Sequence, residues 1–106
     1  MDLVVAVYQA SKNFPKDELY GLTSQLRRAA VSVPANIAEG QGRRSKAEFC
    51  QFLGHARGSL LETDTHMEIA LRLEYLHKEE YDQIQERIRE VGRILNGLLR
   101  SLTSNL

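Results

Sequence analysis

Three groups of residues have types and spacings suited to chemistry. The first is the run Gly40-Gln41-Gly42-Arg43-Arg44-Ser45-Lys46, which joins a flexible backbone to three cations and the start of a helical pattern. Free N–H groups point outward at a helix start, and the helix dipole adds roughly half a positive charge there, so such a turn favours anions. The pattern G-x-x-x-x-G-K-[ST] is absent and no strand precedes the run, so it is not a nucleotide-binding loop. Two readings stay open: a solvated basic turn between helices, and a contact for phosphate backbone. The second group is a polar line, Arg28, Ser32, Asn36, Glu39 and Arg43, at intervals of four, four, three and four residues on one helical face. Its amide and carboxylate suit a network within the bundle or between subunits better than catalysis. The third is His55, Ser59, Glu62 and His66, at intervals of four, three and four. Glu62 and His66 lie within reach of one ion, but di-metal bundles carry Glu-x-x-His on two helices, which this chain does not, so no metal is expected. Cys50, between Phe49 and Phe52, falls on an apolar turn where a buried thiol is a poor nucleophile. No catalytic residue and no cofactor are expected.

The elements that position these groups are helices. Apolar residues recur at helical spacing almost everywhere, and no stretch alternates with a period of two. The spacing predicts helices at about 2–14 (Leu3, Val7, Ala10, Phe14), 22–39 (Leu22, Leu26, Ala29, Val33, Ile37), 45–75 and 79–102. The last has Tyr81, Ile84, Ile88, Val91, Leu95, Leu98 and Leu102 in successive core positions, with Ile94 and Leu99 widening the stripe. Phe14-Pro15 ends the first helix, because a residue before proline disfavours the helical region. Gly40 to Gly42 closes the second through left-handed glycine. Ser45 and Glu48 fit a capping box at the start of the third. Pro34 lacks the N–H that would reach Ala30, so a kink or break is expected. Gly54 and Gly58 in the third helix, and Gly92 and Gly97 in the fourth, read as close-packing contacts, and His77 as a weak cap in the last connection. Four amphipathic helices with short connections imply one all-α domain over residues 1–106, an antiparallel up-down-up-down four-helix bundle.

The 106 residues carry 14 Lys+Arg and 14 Asp+Glu, one cysteine and no tryptophan. That length suits one domain with its own core. A lone Cys50 forms no internal bridge, which suits a reducing compartment. No apolar run approaches the ~20 residues of a membrane span, and Met1-Asp2-Leu3 lacks the basic start of a signal peptide, so a soluble, cytoplasmic protein without membrane association is expected.

The string Leu22-Thr23-Ser24-Gln25-Leu26-Arg27-Arg28-Ala29-Ala30-Val31-Ser32-Val33-Pro34-Ala35-Asn36-Ile37-Ala38-Glu39-Gly40 is more specific than a generic bundle. With Gly42-Arg43-Arg44-Ser45, Glu48-Phe49, Phe52-Leu53, Ala56-Arg57-Gly58-Ser59-Leu60, Glu62, Gly92-Arg93 and Leu95-Asn96-Gly97-Leu98, it resembles the four-helix-bundle proteins encoded in intervening sequences of bacterial 23S ribosomal RNA genes. The resemblance covers nearly the whole chain. It implies a homo-oligomer, a five-fold barrel as in solved relatives, with no established enzymatic activity. A related accessory protein of diversity-generating retroelements, a basic pentamer, looks to bind nucleic acid and a reverse transcriptase. By that likeness Arg27, Arg28, Arg43, Arg44 and Lys46 are the candidate nucleic-acid contacts, and Ser32, Asn36, Glu39 and Glu62 a candidate structural polar network. Relatives carry a further turn or more of helix, with aromatic residues, ahead of the position of Met1, so the natural start is expected upstream or this end packs differently. Asp64-Thr65-His66 departs from the commoner Glu-Thr-Gln type of sequence.

Two functional classes follow: an oligomeric bundle binding RNA or DNA through the basic turn, and a scaffold docking a protein partner such as a reverse transcriptase through its first and fourth helices. Zero net charge excludes a uniformly basic surface only. In an up-down-up-down bundle the Gly40–Lys46 turn occupies one end, while Asp17, Glu18, Glu74, Glu79, Glu80 and Asp82 occupy the other.

Overall fold

The computed structural model describes residues 1–103; Ser104, Asn105 and Leu106, the end of the single domain read over 1–106, lie outside the described residues. It consists of α1 (Asp2–Ser11), a single 3-10 turn (Lys16–Glu18), α2 (Leu22–Gln41), α3 (Lys46–Arg72) and α4 (Lys78–Thr103). α1 packs on α2 and α4, and α3 packs on α2 and α4, with no close backbone approach between the diagonal pairs among the described residues. This is the arrangement of an antiparallel four-helix bundle in which sequence neighbours are spatial neighbours, 46 × 24 × 18 Å overall.

The apolar stripes face inward. Leu3, Val7, Ala10 and Phe14 meet Leu26, Ala30 and Val33 of α2, Leu53, Ala56, Leu60 and Met67 of α3, and Ile84, Ile88 and Leu95 of α4 in one core. Ile94, expected to widen the α4 stripe, is instead exposed. α1 is half the length of α2, so beyond its start a small apolar hollow of ≈ 150 Å³ remains between Val33, Pro34 and Ile37 on one side and Val91 and Ile94 on the other.

Helix ends depart from the sequence reading where side chains compete with the backbone. α1 stops at Ser11 rather than Phe14. Leaving the helix early lets Phe14 turn into the core against Tyr75, ring centroids 5.6 Å apart. α2 continues through Gly40 to Gln41, and no glycine has positive φ: Gly42 ends the helix at φ −81°, ψ −3°. It also runs unbroken through Pro34, so of the expected kink or break the break does not occur. α3 stops at Arg72, three residues short of expectation, in a Schellman arrangement: the Tyr75 N–H donates to the Ala70 carbonyl at 2.9 Å and the Glu74 N–H to that of Leu71 at 3.0 Å. The residue that adopts the left-handed conformation is Glu74, φ 63°, where glycine is usual. An L-residue there costs roughly 1 kcal/mol.

The glycines also exchange roles. A Cβ on Gly54, Gly58 or Gly97 would meet nothing within 4 Å, so these make no close-packing contact within the chain, and on Gly92 it would make only ordinary contact with Leu60. Gly40 is buried and packed tightly: a Cβ there would lie 2.9 Å from both Phe49 Cδ1 and Phe52 Cβ.

Candidate nucleic-acid interface and the polar seam between α2 and α3

The close approach of Gly40 to Phe49 and Phe52 fixes how α3 leaves the turn and therefore where the cations stand. Ser45 caps α3: its hydroxyl accepts from the Glu48 N–H at 3.1 Å, and Glu48 Oε1 lies 3.3 Å from the same hydroxyl. The cap satisfies one free N–H and places a carboxylate in the first turn, favourable to the dipole. Arg43 reaches back to Glu39 at 2.8 Å and lies over the Phe52 ring, 4.7 Å from its centroid, while the Phe52 and His55 rings stand nearly perpendicular, centroids 5.8 Å apart. Arg44 and Lys46 are exposed, and no acid pairs with either among the described residues. Cys50 is half-buried.

The other two arginines separate. Arg27 donates from Nε to the buried Ser11 hydroxyl at 2.8 Å and stacks on Tyr8, 4.7 Å from the ring centroid, so it clamps α1 to α2. Arg28 faces outward, with no acid paired to it among the described residues, in a groove of ≈ 690 Å³ whose lining includes Gln25, Ser32, Ser59 and Glu62.

The polar line divides into three. Asn36 donates to both the carbonyl and the hydroxyl of Ser32, each at 2.8 Å, and the Ser59 hydroxyl donates to that of Ser32 at 2.9 Å, tying α2 to α3. Glu39 belongs with Arg43 instead, and Glu62 pairs along its own helix with His66 at 3.4 Å. Among the described residues no three His, Cys, Asp or Glu side chains gather as metal ligands. The Nδ1 of His66 and the hydroxyl of Thr23 are buried with no hydrogen-bond partner.

At the opposite end the Tyr75 hydroxyl donates to Glu18 Oε2 at 2.8 Å, and Glu18 Oε1 receives the Leu22 N–H at the start of α2. The Tyr75 phenol is held above its ordinary range by this hydrogen bond first, then by burial and by the charges of Glu18 and Asp17. His77 precedes α4, and its N–H is bound by the Glu80 carboxylate at 3.1 Å; the cap is therefore supplied to His77 rather than by its ring. No pattern in the sequence pairs residues 18 and 75, or sets Arg27 on Tyr8, because these depend on how helices cross.

The fold and seam define the class: an all-α bundle whose polar groups tie helices together and whose α2–α3 turn carries two exposed cations without acidic partners among the described residues. No helix is long and apolar enough to cross a membrane among the described residues. The family model of the 23S rRNA-intervening sequence proteins matches residues 1–97, and the chain belongs to that family. It is similar to a solved protein of unknown function from the S23 ribosomal protein family of Bacteroides thetaiotaomicron, with TM-score 0.80 and 27% identity over 92% of this chain and 88% of that one. No curated protein matches it.

Proposed function

We propose that this is a non-enzymatic, cytoplasmic protein that self-associates and binds RNA or DNA through the turn between α2 and α3. The observation that carries the reading is the exposure of Arg44 and Lys46 without acidic partners, next to an Arg43 pre-positioned by Glu39 and Phe52. Contacts of this kind reach phosphates rather than base edges, so binding is salt-dependent and weakly sequence-specific. Arg28 adds a free cation further along α2, whereas Arg27 serves the fold. Self-association is favoured by large apolar side chains left exposed on outward helix faces, Leu61 of α3 and Val31 of α2. Association into a ring, five-fold as the resemblance implies, sets copies of the basic turn on one rim and multiplies a weak contact.

The test is an electrophoretic shift with structured RNA and duplex DNA. Exchanging Arg43, Arg44 and Lys46 for glutamine lowers affinity and reduces the slope of log K against log salt by roughly 2–3. Absence of any shift by the unaltered protein at about 50 mM salt overturns the reading. Light scattering tests the ring, and a monomeric mass refutes it.

A further inference from the structure

Of the three cations in the turn between α2 and α3, Arg43 is the least suited to a phosphate. Its Nη2 already donates to Glu39 Oε1 at 2.8 Å, so a carboxylate offsets its charge and occupies one of its donors. Arg44 and Lys46, exposed and with no acid paired to either among the described residues, are the cations left for phosphate. Arg43 presents a flat guanidinium instead. One side of it lies over the Phe52 ring, 4.7 Å from the centroid, and the side chain is still 39% exposed, so the other side is open to solvent. The ring beneath is anchored. Phe52 is half-buried and packs against Gly40 so closely that a Cβ there would lie 2.9 Å from its own, and the exposed His55 ring stands against it at 81°. A guanidinium is planar, delocalised and weakly hydrated, and it stacks on aromatic faces where an ammonium group does not. Bases of single-stranded nucleic acid are held by such stacking, on aromatic rings and on arginine planes, whereas bases in a duplex are stacked on one another.

We infer that Arg43, laid on Phe52 and oriented by Glu39, is a stacking platform for one unpaired nucleobase, with Arg44 and Lys46 on the adjoining phosphates. The ligand is then a single strand, or an unpaired stretch within a folded RNA. This rests on the reading of the basic turn as a nucleic-acid contact, and adds to it the class of substrate and the residue that selects it. An aromatic side chain of a protein has similar ring chemistry, but two unpaired cations beside the platform favour a polyanion. Every base has a π face, so Arg43 selects unpaired over paired bases without selecting sequence.

The test uses the full chain and fluorescence anisotropy with three labelled probes: an oligothymidylate, an abasic strand with the same number of phosphates, and a duplex. The strand with bases is expected to bind about 5- to 150-fold more tightly than the abasic one, the effect of stacking one base. Arg43→Lys keeps the charge and the reach to Glu39 but not the plane. It removes most of that difference, while the affinities for the abasic strand and the duplex, and the salt slope, stay as they were. Arg44→Gln does the reverse: it weakens all three probes and lowers the salt slope by roughly 0.7–0.9. Equal affinity for the two single strands, or a difference that survives Arg43→Lys, overturns the inference and leaves the phosphate contact standing. Failure to bind any of the three probes overturns both. An uncharged tryptophan peptide that binds only when Arg43 is present, with no effect of bases in the strand, assigns the platform to a protein and overturns the inference too.

Discussion

Gly40→Ala and Gly58→Ala make the same chemical change in two long helices and are expected to move stability in opposite directions. Each replaces a helical glycine with alanine, which alone favours the helix by about 1 kcal/mol. At Gly58 nothing lies within 4 Å of the new methyl group, so that gain survives. At Gly40 the new carbon meets Phe49 Cδ1 and Phe52 Cβ at 2.9 Å. The Phe49 ring is able to turn aside, but the Phe52 Cβ is fixed to the backbone of α3, so the two helices must move apart. Overpacking of this kind costs about 1–3 kcal/mol, leaving a net loss of about 1 kcal/mol after the helix gain. For a chain this size that corresponds to a Tm about 4 °C lower for Gly40→Ala and a similar rise for Gly58→Ala. Thermal and urea unfolding followed by circular dichroism, at concentrations where light scattering gives a single mass, reads both. If Gly40→Ala is as stable as the unaltered chain, the close seam between α2 and α3 at the basic turn is not as described, and the positioning of Arg43 over Phe52 falls with it.

Two further outcomes are expected. Ser45→Ala removes the acceptor for the Glu48 N–H and lowers stability by about 1 kcal/mol, measured by the urea midpoint; no change would mean the cap is not formed. For Tyr75, the folded-state pKa is raised, so its contribution to stability is complete below the ordinary phenol range and is lost as pH rises through the folded value. Tyr75→Phe therefore flattens the fall in stability that sets in at about pH 10, the ordinary phenol value, and continues above it, without abolishing it. A residual slope remains because Tyr81 is raised in the same sense, by burial first and then by Asp64 and Glu68. An unaltered alkaline slope in Tyr75→Phe would refute the role given to its bond with Glu18.

The helices were legible in the sequence because burial on one side leaves a 3.6-residue imprint, clearest in α4 from Tyr81 to Leu102. The Ser45–Glu48 cap was legible because it is local chemistry three residues apart. Gly54 and Gly58 were misread because paired small residues suggest a contact, whereas their phase relative to Leu53, Ala56 and Leu60 sets them on the opposite face. Gly40 was misread as a helix stop because its partners, Phe49 and Phe52, belong to the next helix. The end of α1 follows from Phe14 finding Tyr75, 61 residues away, which periodicity does not encode. In the candidate site, Arg44 and Lys46 were identifiable from charge and position alone. The division between Arg27, which holds α1, and Arg28, which faces solvent, depends on the crossing of two helices, and adjacent arginines in a sequence give no sign of it.

Because the backbones approach closely only between consecutive helices, apart from the seam that α1 shares with α4, nearly every interface joins segments close in the chain. Loop closure is then inexpensive at each step except the last. Folding kinetics inherit this order: a bundle of low contact order assembles in microseconds to milliseconds, with α2 and α3 pairing early and the short α1 docking late. Damage confined to the α1–α4 seam accordingly accelerates unfolding and leaves the folding rate nearly unaltered.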